Sequence, residues 1–163
     1  MNIFYLHSDP REAAKLQYNK HVVKMILESA QMLCTAHHIY GDDWQRKNVP
    51  YKQAHLNHPS TRWTRLCRAN YRWLFKHMMG LGYEYWKRYG KQHLSISKCS
   101  MFLSKPPVHL PGGEFTEPPQ AMPDKYKHKS AIHAYWQYYI GDKRHIANNK
   151  TEKIYEKIPE NIF

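Results

Sequence analysis

Residues 21–38 carry apolar side chains around almost the whole circumference that an α-helix would present. Projected at about 100° per residue, the apolar positions leave only a narrow polar arc uncovered. A helix of this composition must be packed on nearly every side, because apolar side chains avoid water. The pattern predicts a central, buried helix in an all-α or mainly α domain. The apolar positions are Val22, Val23, Met25, Ile26, Leu27, Ala30, Met32, Leu33, Cys34 and Ala36.

The polar arc of this helix spans about 80° and contains His21, Lys24, Glu28, Gln31 and Thr35. Ionisable groups on a buried helix need partners or a water-filled cleft, because uncompensated burial costs several kcal/mol. We expect an active-site cleft here, with Glu28, Lys24 and His21 as catalytic candidates and Gln31 as a pocket residue. In a structural alternative, Lys24 and Glu28 form an ordinary i,i+4 ion pair and His21 caps a neighbouring loop. The polar arc is then simply the solvent-exposed face of the helix.

Capping residues predict where the first half of the chain forms helices. Asp9, Pro10 and Glu12 suit the start of a helix that runs to about His37, with a weak point at Asn19. Residues 2–7, just before it, have the composition of a short strand or extended arm. Residues 41–58 are predicted to form a connecting loop.

A second long helix is predicted from the His58-Pro59 pair to Gly90, and a shorter one from about His93 to Leu103. Residues 104–124 contain six of the ten prolines and two adjacent glycines, so they predict a long loop that is either a lid or a solvated excursion. A last helix is predicted to begin after Ser130. We expect residues 1–163 to form a single domain.

Positive charge is concentrated on one side of the second long helix. The chain carries 25 Lys and Arg against 13 Asp and Glu, a net charge of +12 that favours polyanionic partners. Five cations, without an acid between them, fall within an arc of about 120° and are spaced as a row of phosphate contacts would require. They predict a nucleic-acid-binding face, with a merely solvated face as the alternative. The row consists of Arg62, Arg65, Arg68, Arg72 and Lys76.

Two polar residues interrupt the apolar side of the same helix. Asn70 and His77 are seven residues apart and therefore lie on one line. They form either a hydrogen-bonded core pair or a wall that faces Glu28 across a cleft, and on the second interpretation they join His58 as pocket residues.

The remaining residue types exclude several classes of protein. The three cysteines, Cys34, Cys67 and Cys99, are odd in number and widely spaced, which favours reduced thiols in a cytoplasm. No segment has the length or apolarity of a membrane span, and the first ten residues lack a signal pattern. His55 and His58 have ligand-like spacing without an accompanying carboxylate or cysteine, so we expect no metal site and no cofactor.

Short motifs resemble two kinds of protein. The segments at 19–25, 58–63 and 89–91 are similar to a family of uncharacterised bacteriophage proteins, which implies no activity. Residues 1–10, 27–30 and 57–59 resemble pyrimidine-dimer DNA glycosylases of the phage endonuclease V type. That resemblance implies that the amine of the chain's first residue attacks the sugar carbon while a helix glutamate, at the position of Glu28, supports the developing charge.

The second resemblance places Asn2 among the catalytic residues, because Asn2 becomes the first residue if the initiator methionine is removed. Asn2 is a poor residue for that removal, and Leu27 stands where the family has an arginine. Lys24 is a substitute nucleophile if Lys20 and burial lower its pKa. A carboxylate and an amine suit this chemistry, since cleavage of a glycosidic bond passes through a cationic centre and an amine forms a Schiff base.

The residues and this resemblance therefore predict an enzyme that acts on DNA, either a phage-type glycosylase, with or without an abasic-site lyase step, or a related base-processing enzyme. Two alternatives remain open. One is a non-enzymatic nucleic-acid-binding protein that uses the Arg62 to Lys76 row, and the other is an enzyme that modifies nucleotides or small molecules in a pocket at Glu28.

Overall fold

A central helix, Asn19–Tyr40, organises the structure. The computed structural model describes residues 1–147 and Ile158, and in this part of the chain seven α-helices and two 3-10 turns are joined by loops, with no strand. The mainly helical fold predicted from the sequence is confirmed. The helices are α1 Pro10–Lys15, α2 Asn19–Tyr40, α3 Asp43–Asn48, α4 Pro59–Thr64, α5 Arg68–Tyr89, α6 Leu94–Leu103 and α7 Ala131–Gly141, and the turns are Asp124–Tyr126 and Arg144–Ile146.

The two longest helices, α2 and α5, pack against each other in opposite directions. Near the end of α2, the ring of His37 forms a 2.9 Å hydrogen bond with the hydroxyl of Tyr71 near the start of α5. Near the end of α5, Arg88 donates a 2.8 Å hydrogen bond to the carbonyl of Gln17, just before α2. The core around this pair receives buried apolar side chains from every described helix except α3. None of the helices between residues 1 and 147 is long and apolar enough to cross a membrane.

The first residues of the chain run through the interior of the protein. Residues 2–6 are all buried. The side chain of Gln17 donates to the carbonyl of Ile3 at 3.1 Å, and the indole of Trp136 donates to the carbonyl of Leu6 at 2.9 Å. Phe4 has φ +53°, a left-handed conformation that costs a non-glycine residue about 1–3 kcal/mol. The surrounding contacts hold the segment in one path in spite of this strain.

The weak point expected at Asn19 is a complete break between α1 and α2. The amide of Tyr18 donates to the hydroxyl of Tyr139 at 2.7 Å, whereas in a continuous helix it would donate to a backbone carbonyl one turn earlier. The break therefore depends on a tertiary contact across 121 residues of sequence.

The prediction of one long helix from His58 to Gly90 is wrong, because α4 and α5 are separate helices. Cys67 is extended, with φ −156° and ψ 166°, and the amide of Arg68 donates to the carbonyl of Pro111 at 2.9 Å. The loop predicted at residues 41–58 also contains a helix, α3, which begins with a capping box formed by Asp42 and Gln45.

Other helix boundaries agree with the sequence predictions. Asp9 caps α1 through its side chain, and Ser130 caps α7. His93 precedes α6 as its N-cap, and α5 ends at Gly90, whose φ of +66° suits glycine.

Residues 104–123 contain no helix or strand and are bound to the junction between α4 and α5. The guanidinium of Arg68 donates to the carbonyls of Leu110 at 2.8 Å and Val108 at 3.0 Å. The indole of Trp63 donates to the carbonyl of Thr116 at 2.9 Å. The middle section of this loop is therefore anchored by hydrogen bonds, although residues 111–117 are exposed.

Candidate active site

The carboxylate of Glu28 lies beside the first residue of the chain. Its Oε2 atom is 3.7 Å from the terminal nitrogen of Met1 and accepts a 3.0 Å hydrogen bond from the amide of Asn2. Its Oε1 atom is 3.6 Å from Nζ of Lys24, one turn earlier on α2. Glu28 is only 9 % exposed. An amine, an amide and an ammonium group thus compensate a carboxylate that is largely shielded from water.

These groups line a cavity of about 420 Å³. Its lining contains one carboxylate, that of Glu28, and three lysines. Aromatic rings from the N-terminal segment and from α7 form part of its wall. The cavity therefore offers one anion for a cationic reacting centre and several cations for the phosphates of a polyanion. Its lining residues are Met1, Asn2, Phe4, Lys20, His21, Lys24, Met25, Glu28, Ala121, Tyr138, Lys143 and Ile146.

The side chain of Asn2 fixes the position of the terminal residues. Its Oδ1 atom accepts a 2.7 Å hydrogen bond from the amide of Ile3, and its Nδ2 donates to the carbonyl of Ala121 at 3.0 Å. The hydroxyl of Thr61 on α4 lies 3.4 Å from Sδ of Met1. The terminal nitrogen is therefore held against Glu28 by contacts with a distant loop and with α4.

His21 is an uncharged member of the site at neutral pH. Burial, followed by the positive charges of Lys143, Lys24 and His145, lowers its pKa to about 4. Its ring stacks on Phe4 at a centroid distance of 4.3 Å, and Nδ1 forms a 2.8 Å hydrogen bond with the hydroxyl of Tyr139. His21 thus contributes a neutral hydrogen-bonding ring, and it does not cap a loop.

The polar arc predicted on α2 divides into two parts. His21, Lys24 and Glu28 line the cavity, whereas Gln31 and Thr35 do not. The hydroxyl of Thr35 lies 2.8 Å from the carbonyl oxygen of Gln31, one turn earlier on α2. It also lies within hydrogen-bond distance of the carbonyl of Ala54 and accepts a hydrogen bond from the amide of Ala54. The second part of the arc therefore anchors a loop.

Asn70 and His77 do not face Glu28. Asn70 donates to Thr116 Oγ1 at 3.0 Å and accepts from the amide of the same residue at 3.0 Å. The ring of His77 lies between the side chain of Gln17, at 3.0 Å, and the carbonyl of Pro10, at 2.8 Å. Both are hydrogen-bonded core residues, as in the structural interpretation of their spacing.

His58 lies near the site without lining the cavity. Its Nδ1 atom accepts a 3.2 Å hydrogen bond from the amide of Ser60, which makes it the N-cap of α4. Burial and the charge of the Met1 amine lower the pKa of His58, while the Glu28 carboxylate acts in the opposite direction. Its charge state is therefore linked electrostatically to both groups.

The five predicted cations do not form one continuous helical row, because the break at residues 65–67 divides them. Arg65 donates to the carbonyl of Leu56 at 2.8 Å, and Arg68 is bonded to the loop after α6. Arg62, Arg72 and Lys76 are exposed, and none of them belongs to an ion pair within the described residues. Three of the five cations are thus open to an external partner.

Several cavity residues were not among the sequence-based candidates for the cleft, and they include Phe4, Lys20, Tyr138 and Lys143. Lys20 precedes the polar arc by one residue and could have been included from its proximity to His21. Tyr138 and Lys143 reach the site from the opposite end of the chain, and no local pattern signals that contact.

Comparison of the chain with models of protein families, with curated proteins and with solved structures gives no match. Among residues 1–147 and Ile158, no three His, Cys, Asp or Glu side chains are grouped so that they could hold a metal ion. The three cysteines are buried and unpaired.

Proposed function

We propose that the protein is a DNA glycosylase with an abasic-site lyase step, which uses the Met1 amine as nucleophile and Glu28 as electrostatic partner. The observation that carries this proposal is the 3.7 Å separation between that amine and a buried carboxylate in a cavity lined by lysines. An amine and a carboxylate at one end of a cationic cleft are the two groups that an imine-forming glycosylase requires.

In the proposed reaction the neutral amine of Met1 attacks C1′ of a deoxyribose. A bond forms between that nitrogen and C1′, the glycosidic bond breaks, and the base leaves with its bonding electrons and takes up a proton. The nitrogen, now bonded to C1′, has lost one of its protons. The sugar ring then opens as the nitrogen lone pair forms the C1′=N bond, and O4′ leaves C1′ and takes up a proton. The product is a cationic imine that keeps one N–H. Loss of a proton from C2′ then expels the 3′ phosphate. The carboxylate of Glu28 stabilises positive charge at the sugar carbon in these steps, because it is held in place before the charge develops.

The geometry favours Met1 over Lys24 as the nucleophile. The Lys24 side chain is 70 % exposed, whereas the Met1 side chain is 1 % exposed and its Sδ atom contacts Thr61 of α4, which holds the Met1 amine beside Glu28. Amino-terminal amines are, as a class, also weaker bases than lysine amines. In this proposal Lys24 binds a phosphate group of the substrate beside the carboxylate.

Phosphate contacts supply the affinity in this proposal. Lys20, Lys24 and Lys143 surround the cavity, and exposed Arg62 lies on α4. Such contacts make binding independent of sequence and sensitive to salt. A reduced, DNA-processing enzyme of this kind would act in the cytoplasm, which for a phage-encoded protein is that of the bacterial host.

Borohydride trapping tests the proposal directly. Duplexes that carry an abasic site, a thymine dimer or a modified pyrimidine are incubated with the protein and reduced, and the trapped peptide is identified by mass. The expected adduct is on the nitrogen of Met1. Two extra residues before Met1 convert the amine to an amide and should abolish trapping, whereas Lys24→Arg removes a nucleophile, keeps the charge and should retain it.

Each outcome of this experiment is decisive. Trapping that survives the extension and disappears in Lys24→Arg assigns the nucleophile to Lys24. If none of the three substrates is trapped or incised, the glycosylase proposal is wrong.

A non-enzymatic nucleic-acid-binding protein is the second candidate function. It is favoured by one observation, the exposure of Arg62, Arg72 and Lys76 without acidic partners in the described part of the chain. Salt-dependent DNA binding without trapping or incision would support this candidate.

A further inference from the structure

The outer face of α5 combines cations with exposed aromatic rings. Arg72, Lys76, Met79, Tyr83 and Trp86 follow one another at spacings of 4, 3, 4 and 3 residues and fall within an arc of about 80°. All five are exposed. Tyr83 is 59 % exposed and Trp86 is 55 % exposed, values that are high for large aromatic residues on a helix that packs its other side in the core.

The aromatic end of this face borders a groove between α5 and α6. The groove has a volume of about 430 Å³, and Gly82 and Ile96 are among the residues that form it. A Cβ atom at Gly82 would lie only 2.7 Å from Ile96, so the absence of a side chain there allows α6 to approach closely. The rings of Tyr83 and Trp86 have centroids 5.9 Å apart. Met79 and Gln92 complete the lining, which contains no charged side chain.

The charges around this face determine which kind of partner it can bind. The sequence positions that form the arc include no acid, and neither Arg72 nor Lys76 is in an ion pair within residues 1–147 and Ile158. Acidic residues occur on the flank toward α1, in a cavity that Met79 and Tyr83 also line. Glu12 pairs there with Lys15, Glu84 pairs with Arg88, and Asp9 accepts hydrogen bonds from the first amides of α1. The open charge on the outer face is therefore positive and is complementary to phosphate.

This face is separate from the cavity at Glu28. Nine residues, or about 180° of helix rotation, separate Glu28 from His37 on α2, and His37 contacts Tyr71 of α5. On α5 itself, Tyr71 and the buried residues Leu74 and Met78 lie at least 60° outside the arc of exposed residues. The outer face of α5 consequently points away from α2 and forms no wall of the proposed active site.

We propose that the outer face of α5 binds unpaired DNA, with bases stacked on Tyr83 and Trp86 and phosphates bound by Arg72 and Lys76. From Arg72 to Trp86 the helix rises by about 21 Å, which is the length of several nucleotides. Aromatic rings stack on bases of any sequence, and nearby cations follow the backbone of the strand. That the nucleic acid is DNA rests on the proposed function, whereas the stacking surface does not depend on the chemistry at Glu28.

Affinity for single-stranded oligothymidylate, measured by fluorescence anisotropy of a labelled strand, tests this surface. Trp86→Ala and Tyr83→Ala should each weaken binding by about 5- to 150-fold, the range for loss of one stacked base. Trp44→Ala is the matched control, because Trp44 on α3 is 65 % exposed and stacks on Phe102 outside this face. It should bind as the unaltered protein does, and thermal melts should show that all three variants are folded.

Three results would overturn the inference. The first is equal affinity of Trp86→Ala and Trp44→Ala for the single strand. The second is binding by the unaltered protein to duplex DNA or to oligouridylate but not to oligothymidylate. The third is a concentration-dependent dimer in sedimentation that Trp86→Ala dissociates, which would make the face a contact between two copies of the chain. Trapping and incision at the Glu28 cavity are measured separately, so failure of the proposed enzyme activity leaves this test unaffected.

Discussion

The amide of Asn2 donates a 3.0 Å hydrogen bond to Oε2 of Glu28, although the two residues are 26 positions apart. The same carboxylate oxygen lies 3.7 Å from the nitrogen of Met1. The Asn2 amide therefore orients the carboxylate toward the amine, and the charge of Glu28 is directed at the atom that would become the cationic imine.

Glu28→Gln should reduce single-turnover DNA cleavage by about 10²- to 10³-fold, the usual loss when one electrostatic group of an active site is removed. The amide oxygen of Gln can still accept from Asn2, so the local shape is retained. The partner Lys24 is mostly exposed, and an exposed i,i+4 pair contributes less than about 1 kcal/mol. DNA affinity should change little, and the melting temperature should fall only modestly, because the Met1 amine also loses the charge opposite it at 3.7 Å. A large loss of melting temperature without a selective loss of cleavage would show that Glu28 is structural.

The position of this site could be predicted in part from the sequence. The polar arc with His21, Lys24 and Glu28 is visible because helix periodicity alone places these residues together on an otherwise apolar helix. The same periodicity included Thr35, which bonds a loop in the structure. Local pattern shows that a polar residue must have a partner, but it does not show whether that partner is substrate or protein.

Tertiary contacts determine what the sequence could not show. The break before α2 depends on a hydrogen bond from Tyr18 to Tyr139, and the break before α5 depends on one from Arg68 to Pro111. Each joins residues that are distant in sequence, so helix propensity and capping rules carry no information about it. Lys143 likewise lines the cavity through a tertiary arrangement that joins distant parts of the sequence.

Stability should fall as the pH is lowered from about 6.5 to about 4. Burial is the main cause that lowers the pKa of His21, His37 and His77 to about 4, while an unfolded histidine titrates near 6.5. Above about pH 6.5 these histidines are neutral in both states and make no difference to stability. Below it the unfolded chain takes up protons first, and the loss of stability approaches about 3 kcal/mol per histidine near pH 4.

Thermal melts across this pH window measure the effect. His37→Gln should lower the number of protons taken up on unfolding by about one, and so reduce the pH dependence of the free energy of unfolding. His55→Gln, which changes an exposed histidine, should leave that dependence unaltered. Equal pH dependence in the two variants would show that His37 is not buried in its neutral form.

Arg68→Ala should destabilise the protein by about 1 kcal/mol and should make residues 104–123 more sensitive to protease. Its guanidinium holds the carbonyls of Leu110 and Val108, and hydrogen bonds from charged donors stabilise more than neutral ones. Arg72→Ala removes the same charge one turn later on α5, where no such bond is present in the described structure, and should leave stability and protease sensitivity unchanged. Equal proteolysis of the two variants would contradict the anchoring role of Arg68.

Replacement of the exposed cations Arg62, Arg72 and Lys76 by Ala should weaken DNA binding and lower its dependence on salt. Each phosphate contact releases counterions, so the logarithmic salt slope should fall by about one unit per lost contact. The control removes charge from Lys15 and Lys127, which are already paired with acids at 2.6 and 2.7 Å. A control variant with the same loss of slope per residue would mean that net charge, and not this set of cations, determines binding.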